Sequence, residues 1–94
     1  MVYDPREQDE IIEAFSELLR LPTADGGRKR AAGTKVPWRI DPGHKDAFWR
    51  HLKRQVDGDT IDADSGAPAW GHIAWRACAL ALQDRHRGEP GWLA

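Results

Sequence analysis

The sequence predicts an all-α protein, a small helical bundle of three main helices, on three observations. Two stretches place apolar residues at helical spacing, and a third is alanine-rich and apolar almost all round. No stretch alternates apolar and polar residues as a half-buried strand would. A chain of 94 residues has room for one core, so residues 1–94 read as a single domain. Its parts are an N-terminal helix within 1–22, a basic glycine-rich loop over 23–43 and a core over 44–94. Three short helices bury little surface, and a homodimer is expected.

The first helix starts at Asp4-Pro5-Arg6-Glu7. An aspartate caps, proline takes the first helical position where its missing N–H costs nothing, and a glutamate follows three residues past the cap. Ile11, Ile12, Phe15, Leu18 and Leu19 then form one stripe, with Glu10, Glu13 and Glu17 away from it, until Pro22 ends the pattern. Residues 23–36 hold Gly26, Gly27, Gly33 and the run Arg28-Lys29-Arg30, and show neither periodicity. Asp41-Pro42-Gly43 is turn chemistry leading into a second helix, in which Phe48, Leu52 and Val56 share a face beside Trp49 and which Asp57-Gly58 ends. The third helix is expected from about Ala67 to His86, started by Ser65 or Gly66 with Pro68 in its first turn and released by Gly88 and Pro90. Its many alanines predict a central helix approached closely by its neighbours.

A net charge of −1 conceals a segregation. Residues 1–27 carry two basic and seven acidic side chains, residues 28–54 nine and two, and residues 55–94 three and six. Such a layout suits either a phosphate-binding middle flanked by carboxylates or complementary surfaces within one domain or dimer. The single cysteine, Cys78, cannot form an intramolecular disulfide, and no spacing suggests structural zinc. The start of the chain has no basic and apolar leader pattern and no apolar run approaches the roughly 18 residues of a membrane span, so a cytoplasmic protein without membrane contact is expected. Interruption of the basic residues by glycine, proline and aspartate argues against nucleic acid as the partner.

Three features could carry chemistry. Between the second and third helices, residues 57–66 hold Asp57, Asp59, Asp62 and Asp64. These could meet a nucleotide-bound Mg²⁺, which needs one or two protein carboxylates, or Asp62, Asp64 and Ser65 could simply cap the third helix. In that helix His72, Arg76 and Gln83 fall within about 40° of one line, a polar stripe on an otherwise apolar element. Buried histidine and arginine need partners, so the stripe either joins a structural network or lines a cleft with the aspartate loop. His51 precedes that loop beside Arg50 and reads as a base, a phosphate ligand or a surface residue. Among five tryptophans, Trp38 lies in a loop next to Arg39 and after Lys35, an aromatic with cations that suits a base and its phosphates as well as it suits a core.

Taken together, Trp38-Arg39, Gly43-His44-Lys45-Asp46-Ala47, Arg50-His51-Leu52, the run Gly58-Asp59-Thr60-Ile61-Asp62-Ala63-Asp64-Ser65-Gly66-Ala67-Pro68 and His72-Ile73-Ala74-Trp75 resemble the small phage-type dATP/dGTP diphosphohydrolase-like domain, over roughly residues 26 to 86. The resemblance implies an all-α protein of phage nucleotide metabolism, similar in reaction class to the MazG-like pyrophosphohydrolases. On that reading it is a Mg²⁺-dependent (or Mn²⁺-dependent) nucleoside triphosphate pyrophosphohydrolase acting on purine deoxynucleotides of the dATP/dGTP class. Asp59, Asp62 and Asp64 would hold the metal, and His51 or His72 would orient or deprotonate water. Lys35, Arg39, Arg50 and Arg54 would neutralise phosphate, and Trp38 would stack on the base. The chain departs from the family pattern at Pro37, Ala69 and Arg76. Those departures support an alternative reading, a non-catalytic phage or prophage protein in the host cytoplasm that binds a nucleotide or a host protein.

Overall fold

The computed structural model describes residues 4–20, 36–62 and 66–94. Three helices account for most of them: α1 (Pro5–Arg20), α2 (His44–Val56) and α3 (Ala69–His86). The described residues include no strand, only an isolated antiparallel bridge between Ile61 and Pro68. No described helix is long and apolar enough to cross a membrane.

Local chemistry explains the helix ends. The Asp4 carboxylate accepts the Arg6 N–H at 2.8 Å, the cap expected of Asp-Pro at a helix start. Before α2, Asp41 accepts the Gly43 N–H at 2.8 Å and closes the turn. Gly58, at φ 94°, releases α2, and Gly88, at φ 84°, follows α3, conformations that a side chain at Cβ would oppose. The third helix starts later than its composition suggests. Pro68 sits at the N-cap with extended backbone (φ −56°, ψ 140°) because it pairs with Ile61, so the first helical residue is Ala69.

Helix α3 is central: both α1 and α2 pack on it, α2 more extensively. The buried apolar residues are small, namely Ala47, Ala67, Ala69, Ala74 and Ala79 with Ile73, and the buried Gly71 belongs to the same surface. Small side chains allow the helix axes to approach closely, which places polar groups of α2 and α3 within reach of each other. The cost is a modest apolar core. In α1 no residue is buried, and Ile11, Ile12 and Phe15 remain 40% or more exposed despite their common stripe. Trp49, Val56 and Trp70 are also exposed.

Much of the remaining cohesion is polar and aromatic. Trp38 stands edge-on to Trp75 (centroids 6.2 Å apart) and to Trp92 (5.6 Å), and the Arg39 guanidinium lies over Trp38 and Trp92. The chain after α3 folds back onto the turn before α2, where the Leu93 N–H donates to the Arg39 carbonyl at 3.0 Å.

Candidate functional site

The polar stripe of α3 faces inward, and each of its members grips a different segment. Gln83 is 1% exposed. Its side-chain amide donates to the carbonyls of Trp38 (2.9 Å) and Asp41 (2.8 Å), and it lies 3.4 Å from that of Arg39. Arg76 reaches the fully buried His44 at 2.6 Å and lies over the Trp75 ring. These two residues build a scaffold, because their partners are a loop backbone and a buried ring. His44 carried no sequence signal of this role, since Gly43-His44-Lys45 reads as an ordinary polar helix start.

The third member, His72, meets two groups from elsewhere. Its Nε2 lies 3.6 Å from Oδ2 of Asp62, and Nδ1 of His51 lies 3.6 Å from the same oxygen. The two imidazoles stack nearly parallel, with centroids 4.6 Å apart and planes 10° from each other. The three potential ligand atoms all lie within 4.8 Å of one another. One member comes from α2, one from α3 and one from the connector between them.

Backbone bonds hold that connector in place. The Asp62 N–H donates to the Ala67 carbonyl, the Gly66 N–H donates back to the Asp62 carbonyl, and the Ala69 N–H donates to Thr60, each at 2.8 Å. Gly66 at φ 72° permits the tight return. Asp62 therefore does not cap α3; the loop turns its carboxylate inward, where it is 6% exposed, against the two imidazoles at 14% and 16%. The three side chains are thus largely, though not wholly, withdrawn from solvent. Burial lowers the pKa of His51 below its ordinary value; the neighbouring His72, Arg76 and Arg50 push it the same way and Asp62 opposes them. A histidine so placed is a neutral ring with an available lone pair.

The other described residues singled out in the sequence are not part of this cluster. Asp59 is exposed, while Lys35 and Asp64 lie outside the described residues. Arg50 is exposed and bonds Asp46 at 2.9 Å, and Arg54 is exposed on the same helix. Trp38 and Trp75 wall a cleft of about 290 Å³ among the described residues that Leu19, Cys78, Ala79 and Leu82 complete, so Trp38 belongs both to the aromatic cluster and to the wall of this cleft. The donors that meet at the centre are two imidazole nitrogens and one carboxylate oxygen, which is not the all-oxygen set that Mg²⁺ takes.

Comparison with known proteins places the chain beside one family. Residues 29–89 match the family described as "dATP/dGTP diphosphohydrolase, N-terminal", a span that includes α2, α3 and all three residues of the centre. No curated protein and no solved structure matches the chain.

Proposed function

The chain belongs to the dATP/dGTP diphosphohydrolase N-terminal family, and from that membership we propose that it hydrolyses purine deoxynucleoside triphosphates to monophosphate and pyrophosphate. The observation that carries the proposal is the convergence of His51, Asp62 and His72 from three separate elements on one largely buried cluster inside the matched segment. A buried carboxylate beside two imidazoles, one of them (His51) with its pKa lowered by burial, is what water activation requires.

In the proposed reaction a water oxygen forms a bond to the α-phosphorus, the bond from that phosphorus to the bridging oxygen breaks, and pyrophosphate leaves. The attacking water is oriented by the His51 and His72 rings, and its proton passes to the Asp62 carboxylate between them. Arg50 supplies positive potential near His51, and it, with Arg39 and Arg54 for the outer phosphates, would oppose the charge spreading over phosphate oxygens. The purine lies in the cleft against Trp38 and Trp75, where stacking is worth about 1–3 kcal/mol per base.

The test is direct. Purified protein is given dATP, dGTP, dCTP, dTTP and the ribonucleotides with divalent cations, and pyrophosphate release is followed. The expected result is release from dATP and dGTP, reduced about 100-fold or more by Asp62→Asn in a protein whose circular dichroism is unchanged. Absence of release from every triphosphate, or full activity of Asp62→Asn, overturns the proposal.

A further inference from the structure

The donor set at the centre has a consequence beyond hydrolysis itself. The 3.6 Å separations between Asp62 Oδ2 and each imidazole nitrogen exceed the roughly 2.7–2.9 Å of a direct charged hydrogen bond. They come close to the spacing of two atoms bound to one ion: bonds of about 2.1 Å at a tetrahedral angle set their ends about 3.4 Å apart. Two histidines and one carboxylate also form a three-ligand set that leaves a coordination position open, as sites that bind both a metal and a reacting oxygen do.

We propose that His51 Nδ1, His72 Nε2 and Asp62 Oδ2 bind one first-row transition-metal dication of the zinc class, with the open position directed to water or a phosphate oxygen. The proposal rests on the preceding reading for its purpose but on geometry for its existence. Imidazole nitrogen is a good donor to Zn²⁺ and Co²⁺ and a poor one to Mg²⁺, which prefers oxygen and keeps its waters. The connector bonds at Asp62, Gly66 and Ala69 hold the carboxylate in place, and the two rings, stacked 4.6 Å apart with planes 10° from each other, must turn out of that stack to aim both nitrogens at one ion. The nearby cationic side chains of Arg50 and Arg76 favour an anionic fourth ligand, so a triphosphate oxygen completes the site better than a neutral group.

The probe is Co²⁺, whose visible absorption reports low-coordinate binding through nitrogen and oxygen. The full chain is freed of metal with a chelator and titrated. Expected are visible bands that saturate at one Co²⁺ per chain and are abolished by added Zn²⁺, with a rise in Tm from either ion and none from Mg²⁺ at the same concentration. His51→Gln and His72→Gln are each expected to weaken Co²⁺ binding about tenfold or more, while Asp84→Asn, which alters an exposed carboxylate of α3, leaves it unchanged. Should either histidine variant fold poorly, the Mg²⁺ comparison on the unaltered chain decides. Loss of the Co²⁺ spectrum, equal stabilisation by Mg²⁺, or unaltered affinity in both histidine variants overturns the metal assignment. The two readings fail separately: release of pyrophosphate by protein that shows no Co²⁺ spectrum overturns this inference and leaves the enzyme, whereas tight Co²⁺ binding without release of pyrophosphate leaves the metal site and removes the enzyme.

Discussion

Arg76 Nη1 lies 2.6 Å from Nδ1 of His44, and this contact fixes the tautomer of a fully buried ring. A guanidinium has only donors, so His44 Nδ1 must accept. The proton of the ring is then on Nε2, which donates to the Trp38 carbonyl at 2.6 Å. The ring thus joins α3 to the turn before α2 through two directed bonds. Replacing it with an apolar side chain leaves the Trp38 carbonyl with fewer donors and the Arg76 guanidinium with one acceptor fewer. We expect His44→Leu to lower the unfolding free energy by about 2 kcal/mol, read from urea denaturation followed by tryptophan fluorescence. A loss too small to measure would show that the ring contributes packing only.

Gln83 makes a similar prediction of opposite chemistry. Its amide nitrogen faces carbonyl oxygens of Trp38, Arg39 and Asp41, so only a donor fits. In Gln83→Glu a carboxylate replaces that donor and meets a set of acceptors, and it is expected to destabilise more than Gln83→Leu, which merely leaves the carbonyls with fewer partners, at about 1–3 kcal/mol. The Trp38–Trp75–Trp92 cluster provides the readout, because release of the turn alters its fluorescence. If Gln83→Glu is as stable as the parent, the bonding pattern is wrong.

Both networks show which parts of the molecule sequence reasoning can reach. The helices were legible where the cause is local: Asp4-Pro5 starts α1, Asp41 closes the turn before α2, and Gly58 and Gly88 release the two later helices. The alignment of His72, Arg76 and Gln83 on one face was legible too, because 100° per residue puts them there. What each would meet was not, since their partners come from other segments: Trp38 is 45 residues from Gln83 and His44 is 32 from Arg76. The late start of α3 escaped for the same reason, as the extended Pro68 depends on its pairing with Ile61. At the centre, Asp62, His51 and His72 stood out individually, but four similar aspartates offered no local means of choosing the one that turns inward.

Gly66 tests the rigidity of that inward turn. Its φ of 72° lies where a Cβ clashes with its own backbone, although nothing else among the described residues stands within 4 Å of such an atom. Gly66→Ala is therefore expected to cost about 1–2 kcal/mol from backbone conformation alone, with Gly66→Asn less affected because asparagine tolerates this region. Thermal unfolding of the two variants gives the order. Equal loss in both would point to a cause other than the backbone angle.

The last expectation concerns pH in protein kept free of metal. His51 has its pKa lowered in the fold, first by burial and then by His72, Arg76 and Arg50, with only Asp62 opposing. In the unfolded chain it titrates near its ordinary value of about 6.5. Between the two values the unfolded state binds more protons, so stability is fully present above about pH 6.5, declines as pH falls through it, and levels off only below the folded pKa. The upper edge of this window lies above the roughly pH 4 at which carboxylates begin to contribute. Urea midpoints measured from about pH 8 to pH 5 should therefore fall on acidification, and His51→Gln, which cannot titrate, should reduce that slope. A slope unchanged in His51→Gln would place the proton uptake at another residue and remove the argument that His51 stands neutral beside Asp62.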